Sequence, residues 1–199
     1  MSLEATSRQL TALLHDKDVK VVALSGRWGT GKSYMWQQVQ KAATSEQVQK
    51  AAVVSLFGLS SIEQVKLKLI QSVAVKDEQG WLEKAKGGLA MLEKVHKGFG
   101  LINDVGLLVA PSVLSDKLIV LDDIERKHEK LHLDEILGFI DEFTQRNGAR
   151  FLIILNSDRL KNREIWDSLR EKVVDHELKL NTSCDEAFKV AALGQPTMY

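Results

Sequence analysis

The sequence predicts a three-layer α/β domain built on a largely parallel, five-stranded sheet, and three observations predict it. Five short runs rich in β-branched and apolar residues recur along the chain, helix-like stretches separate them, and two of the runs end in residues that carry chemistry. Parallel neighbours need a crossover connection, which a helix usually supplies, so regular alternation of strand and helix argues for a sheet covered on both faces.

Leu3, Leu10, Leu13 and Leu14 form a helical stripe that ends near "HDKD", and "VKVVALSG" then runs into a glycine as a buried strand does. From Lys32 the glycines stop, and "KSYMWQQVQKAA" reads as a helix opening at the end of the loop. A second strand is expected over Ala51 to Ser60, with Ser60 or Ser61 capping a helix whose face is Ile62, Val65, Leu69 and Val73. Residues 77–115 read as a helical insertion broken by glycines. A third strand, "DKLIVLDDIER", runs into acids, and Leu133, Ile136, Leu137, Ile140 and Phe143 then share one helix face. "ARFLIILNSD", "RLKNREIWDSLR", "KVVDHELKL" and "SCDEAFKVAAL" complete the alternation as strand, helix, strand and helix.

At 199 residues and 44% hydrophobic content, one domain with a proper core is expected. Lysine plus arginine equal aspartate plus glutamate at 27 each, so no global field draws the protein to nucleic acid or an anionic membrane. The N-terminus lacks the unbroken apolar run of a secretory signal, and the single cysteine, Cys184, makes no internal disulfide; both point to the cytoplasm. The stretch Gly98 to Leu114 is too short and too interrupted, by Asn103, Asp104 and Pro111, to read as a spanning helix.

Gly26, Gly31, Lys32 and Ser33 satisfy G-x-x-x-x-G-K-[ST], the Walker A pattern, with no mismatch. Four fixed positions match by chance in roughly one chain in a hundred of this length, and here a strand precedes and a helix follows. The spacing has a mechanical reason. Glycines let successive N–H groups of Gly26, Arg27, Trp28, Gly29, Thr30, Gly31 and their helical neighbours through Tyr34 close on phosphate oxygens. Lys32 reaches the β and γ phosphates, and Ser33 offers a hydroxyl to Mg²⁺. Trp28 is a candidate to stack on a base. "LIVLDDIE" places acids at the exposed end of a buried strand, in the manner of Walker B: Asp122 would hold Mg²⁺, and Asp123 or Glu125 would activate the attacking water, with Asp123 preferred by position. Asn156 ends the fourth strand. The expected cofactors are ATP and Mg²⁺, ATP because no guanine-reading N-K-x-D string is obvious.

A complete strand, 51–58, separates the glycine-rich unit from the acid strand, so the acid strand approaches the loop strand only if the intervening one goes outside. That arrangement resembles the additional-strand class of P-loop NTPases, which implies a sheet order of 5-1-4-3-2 and, at Asn156, a polar side chain that meets the γ-phosphate and the attacking water. "GRWGTGKS", "LDDIER" and "FLIILNSDRL" together resemble the KAP-type P-loop NTPases, relatives of the AAA+ and STAND groups, over roughly residues 5–193. The resemblance implies ATP hydrolysis used as a conformational switch or in assembly, with a protein partner or self-association, and by analogy a role in bacterial signalling or defence against phages. It also draws attention to Arg170, near where such subunits place an arginine finger, and to the lack of room for a helical lid, which suggests a fragment of a larger protein. The alternatives are a nucleotide-sensing binding module without turnover and a small-molecule kinase.

One rival motif remains. "HEKLH", His128 to His132, spells H-E-x-x-H, with Glu135 or Glu142 as conceivable third ligands, but it follows directly on the acid strand and precedes the better helical stripe. Trp36, Trp81 and Trp166 read as core or interface groups, His15, His96 and His176 as surface or strand positions without a partner, and Lys66 and Lys68 as a solvated face.

Overall fold

The computed structural model describes residues 3–76, 109–156, 158–159 and 163–181. The expected helix over 183–193, most of the 77–115 insertion, Cys184, Trp81 and His96 lie outside the described residues.

Helix α1 (Leu3–His15) buries Thr6, Leu10 and Leu14, one face at i, i+4 and i+8. Strand β1 (Val21–Gly26) is buried throughout and leads through the glycine-rich loop into α2 (Lys32–Ala42). A one-turn helix α3 (Glu46–Gln49), not expected from the sequence, precedes β2 (Ala52–Ser55). Helix α4 (Ile62–Lys76) starts at Ser61, whose Oγ accepts from the Gln64 N–H at 3.4 Å while Gln64 Oε1 accepts from the Ser60 N–H at 2.9 Å. A helical segment at 109–114 leads to β3 (Leu118–Asp122) and a 3₁₀ turn (Ile124–Arg126). Helix α5 (Leu133–Asn147), β4 (Arg150–Leu155), α6 (Arg163–Val173) and β5 (His176–Leu180) follow.

The five strands form one parallel sheet in the order β2-β3-β4-β1-β5, which is the expected 5-1-4-3-2 read from the other edge. Strand β4 therefore lies between the loop strand β1 and the acid strand β3. Alternation along the strands sorts two cores. Val21 and Ala23 face α4, α5 and α6 with Ile119, Leu121, Phe151 and Ile153, whereas Val22 and Leu24 face α1 and α2 with Val120, Leu152, Ile154 and Leu178. Trp166 joins the first core and Trp36 the second, as the sequence predicts.

Several boundaries differ from expectation. Strand β2 ends at Ser55 and Gly58 turns with φ 72°, so Phe57 stands 58% exposed beyond the sheet. Lys172 and Val173 close α6 instead of opening the last strand, and Asp175 accepts from the Lys20 and Val21 N–H groups at 2.7 and 2.8 Å, tying β5 to the start of β1. Lys66 is not simply solvated: its Nζ lies 5.5 Å from the Phe143 ring centroid and 5.8 Å from that of Phe139, bridging α4 and α5. His15 has partners too, Thr11 O at 2.8 Å and Thr44 Oγ1 at 3.3 Å. Among the described residues no helix is long and apolar enough to cross a membrane, and Val109, Ala110, Val113 and Leu114 are core residues.

Candidate functional site

The site lies at the C-terminal ends of β1, β3 and β4, where a parallel sheet leaves its crevice. The loop between β1 and α2 is shaped by two left-handed glycines, Gly29 at φ 77° and Gly31 at φ 85°, the latter at the N-terminus of α2. Arg27, Trp28 and Gly29 are exposed, Trp28 at 78%, and Thr30 and Tyr34 are half-buried. Thr30 Oγ1 donates to Arg27 O at 2.8 Å, closing the loop on itself. Gly26 is required for a reason the motif does not reveal: a Cβ there would meet the Leu180 carbonyl oxygen of β5 at 2.6 Å.

The Lys32 ammonium folds along the loop and donates to Gly26 O at 2.9 Å and Arg27 O at 2.8 Å. Burial lowers its pKa, against the opposing pull of Glu125 first and then Asp122, Asp123 and Asp158. Ser33, in the first turn of α2, donates its hydroxyl to Asp122 Oδ2 at 2.8 Å. The two residues predicted to share a metal thus meet across β4, 89 positions apart in the chain. Asp122 Oδ1 accepts from the Asp123 N–H at 2.8 Å. Burial raises the Asp122 pKa, and the hydrogen bonds from Ser33 and Asp123 oppose that rise.

The two candidate bases part company immediately after Asp122. Asp123 adopts φ 58°, a left-handed conformation rare outside glycine, and its carboxylate accepts from Ser55 Oγ at 2.8 Å while Arg126 Nη1 lies 3.5 Å away. It faces β2. Glu125, one step into the 3₁₀ turn, accepts from the Asn156 N–H at 3.1 Å and lines a cavity of about 250 Å³ with Trp28, Arg126, Asn156 and Arg159. Asn156 is 3% exposed, and its Oδ1 accepts from the Asp158 N–H at 3.1 Å.

Sequence reasoning missed Ser55, Asp158 and Arg159. Arg27 Nε lies 3.3 Å from Asp158 Oδ2, so the phosphate-type loop is linked to the turn that follows β4. The Arg126 guanidinium sits 4.2 Å from the centroid of the exposed Phe57 ring. The spacing of Asn156 and Asp158, i and i+2, was the available signal, since an asparagine at a strand end commonly caps its own turn that way. Arg170 pairs with Glu177 of β5 and lies 3.9 Å from Asp167, which ties it within its own chain.

The H-E-x-x-H string does not form a helix. His128 Nδ1 accepts from the Lys130 N–H at 3.2 Å in a turn, and His132 is extended, at φ −80° and ψ 152°, as the residue preceding α5. The two imidazoles therefore do not share a helical face, and among the described residues no group of three or more His, Cys, Asp or Glu side chains is placed to hold a metal.

No family model matches the sequence, and no curated protein matches it. Solved structures do. The chain is similar to Cdc6p from Pyrobaculum aerophilum at 18% identity and a TM-score of 0.54, covering 95% of this chain and 48% of that one. It is similar to the Aeropyrum pernix ORC1 protein, solved in complex with DNA, at 16% identity and a TM-score of 0.50, covering 96% and 49%. A signal-transduction ATPase of the STAND group from Pyrococcus horikoshii, with a tetratricopeptide repeat sensor, aligns at 18% identity and a TM-score of 0.46, over 96% of this chain and 25% of that one. The first two likenesses bear on the fold alone, the three-layer α/β arrangement with its five-stranded parallel sheet, and this chain spans about half the length of either protein.

Proposed function

We propose that the chain binds ATP with Mg²⁺ and hydrolyses it. The observation that carries this reading is the 2.8 Å bond from Ser33 Oγ to Asp122 Oδ2 beside a loop that holds Lys32, since a matched motif and a strand-end acid meet in space as the chemistry requires. The donor set fits a hard dication, which takes one or two protein oxygens together with substrate phosphates and water. Ser33 and Asp122 would hold it, and Mg²⁺ when bound supplies charge neutralisation at the β- and γ-phosphate oxygens.

In this reading the loop amides and the N-terminus of α2 bind the phosphates, and Lys32 exchanges its two carbonyl partners for phosphate oxygens. Glu125 accepts the proton of a water whose oxygen attacks the γ-phosphorus; the bond from that phosphorus to the β–γ bridging oxygen breaks, and ADP and phosphate leave. The choice of Glu125 over Asp123 rests on direction: Asp123 is held toward β2 by Ser55 and Arg126, and Glu125 lines the cavity with Asn156. Asn156, whose carboxamide oxygen is committed to Asp158, would donate from its NH₂ group to the γ-phosphate or the water. ATP in preference to GTP rests on the missing N-K-x-D string.

Kinship with the KAP-type proteins, and use of turnover as a switch or assembly step for a partner or a second copy in signalling or defence, belong to the same proposal and rest on analogy. A second reading, a nucleotide sensor without turnover, is favoured by the Asn156 N–H, which holds the Glu125 carboxylate at 3.1 Å and competes with a water for it. Phosphate release from ATP decides between them. Release that requires Mg²⁺ and falls to background in Glu125→Gln supports the enzyme, whereas binding with release no faster than in that variant supports the sensor.

A further inference from the structure

We propose that Arg159 reads the terminal phosphate, making the site discriminate nucleoside triphosphate from diphosphate with a cation supplied by the same chain. The inference rests on the reading of the loop as a nucleotide site and adds to it a residue to which the sequence motifs assigned no role.

Among the described residues three arginines stand near this end of the sheet, and two are engaged. Arg27 pairs with Asp158 at 3.3 Å, and Arg126, which also borders the cavity, lies between Asp123 and the Phe57 ring. Arg159 is exposed and lines the cavity of about 250 Å³ with Glu125, Asn156 and Trp28, and among the described residues no carboxylate pairs with its guanidinium. Its position is set by the backbone. The Arg159 N–H donates to Asn156 O at 3.2 Å and the Asp158 N–H to Asn156 Oδ1 at 3.1 Å, so the chain leaving β4 turns tightly on Asn156 and brings Arg159 to the cavity.

The cavity lies where a third phosphate would extend. A β-phosphate seated on the loop amides is followed by a γ-phosphate directed toward the ends of β3 and β4, which is where Glu125 and Asn156 meet. The nearby acids, Asp122, Asp123, Glu125 and Asp158, all act on Lys32, so an incoming γ-phosphate faces repulsion that a further guanidinium in the cavity would offset. A guanidinium offers a fork of donors that matches phosphate geometry and stays charged at any working pH. ADP does not extend into this region.

The test is calorimetry with Mg²⁺ and either ADP or a non-hydrolysable ATP analogue, on wild type, Arg159→Ala, Arg159→Lys and Lys32→Ala. Arg159→Ala is expected to weaken the analogue by about tenfold or more and ADP by less than about twofold, with Arg159→Lys in between. Lys32→Ala is expected to weaken both. An unchanged ratio of the two affinities in Arg159→Ala, with wild type binding both ligands, overturns the role of Arg159 and leaves the nucleotide site standing. Wild type that binds neither ligand overturns the site itself and this inference with it.

Discussion

The Glu125 carboxylate accepts from the backbone N–H of Asn156 at 3.1 Å, joining the turn after β3 to the end of β4 inside the cavity beside the glycine-rich loop. Asp123, which the sequence places directly after the metal-site aspartate, is bonded instead to Ser55. In steady-state ATPase measurements Glu125→Gln is expected to lower kcat by about 100-fold or more with little change in nucleotide affinity. Asp123→Asn is expected to lower it far less. The reverse order would assign the proton transfer to Asp123.

Ser33→Ala removes the hydroxyl that meets Asp122 at 2.8 Å. The Mg²⁺ concentration for half-maximal ATP binding is expected to rise roughly tenfold, while binding without Mg²⁺ stays as in wild type. A magnesium titration checks this, and an unchanged midpoint would remove Ser33 from the metal site.

Arg150 is 5% exposed and donates to the carbonyls of Leu13, Leu14, Asp16 and Val19 and to Gln47 Oε1, at 2.6 to 3.2 Å. It thereby closes the C-terminal end of α1 onto β4. Arg150→Met strands several carbonyls and is expected to destabilise the fold by about 3 kcal/mol, a fall of roughly 10 °C in Tm at this chain length. Thermal unfolding checks it; a fall under about 2 °C would show that water satisfies those carbonyls.

Gly26→Ala pushes a Cβ to 2.6 Å from Leu180 O, a backbone atom of the neighbouring strand. Either β5 or the loop must move, so lower Tm and weaker nucleotide binding are expected together. Gly138→Ala, with nothing within 4 Å of the added Cβ, serves as the control and is expected to leave both unchanged or slightly raise Tm.

Much of this was legible in the sequence where a local pattern and a chemical requirement coincide. The strand, loop and helix around Gly26 to Ser33 follow from the motif, and the apolar run from Leu118 to Leu121 announces a buried strand that ends in acids. The order of strands came from resemblance, because pairing across the sheet leaves no local trace. Which acid faces the cavity was not legible, since the left-handed turn at Asp123, φ 58°, redirects the carboxylates after the strand ends. "KVVD" misled for a related reason: two valines favour a strand, but the Val174 N–H bonds to Arg170 O and continues the helical turn. Arg159 was hidden because its place depends on the Asn156 turn and on a cavity between three strands' ends.

The most direct test of the central claim is a calorimetric titration of the chain with ATP and Mg²⁺ beside Lys32→Ala. The nucleotide-site reading predicts binding that the substitution weakens by about tenfold or more, roughly 1.4 kcal/mol. Equal affinity in the two proteins, or a folded wild type that binds no ATP, would contradict it.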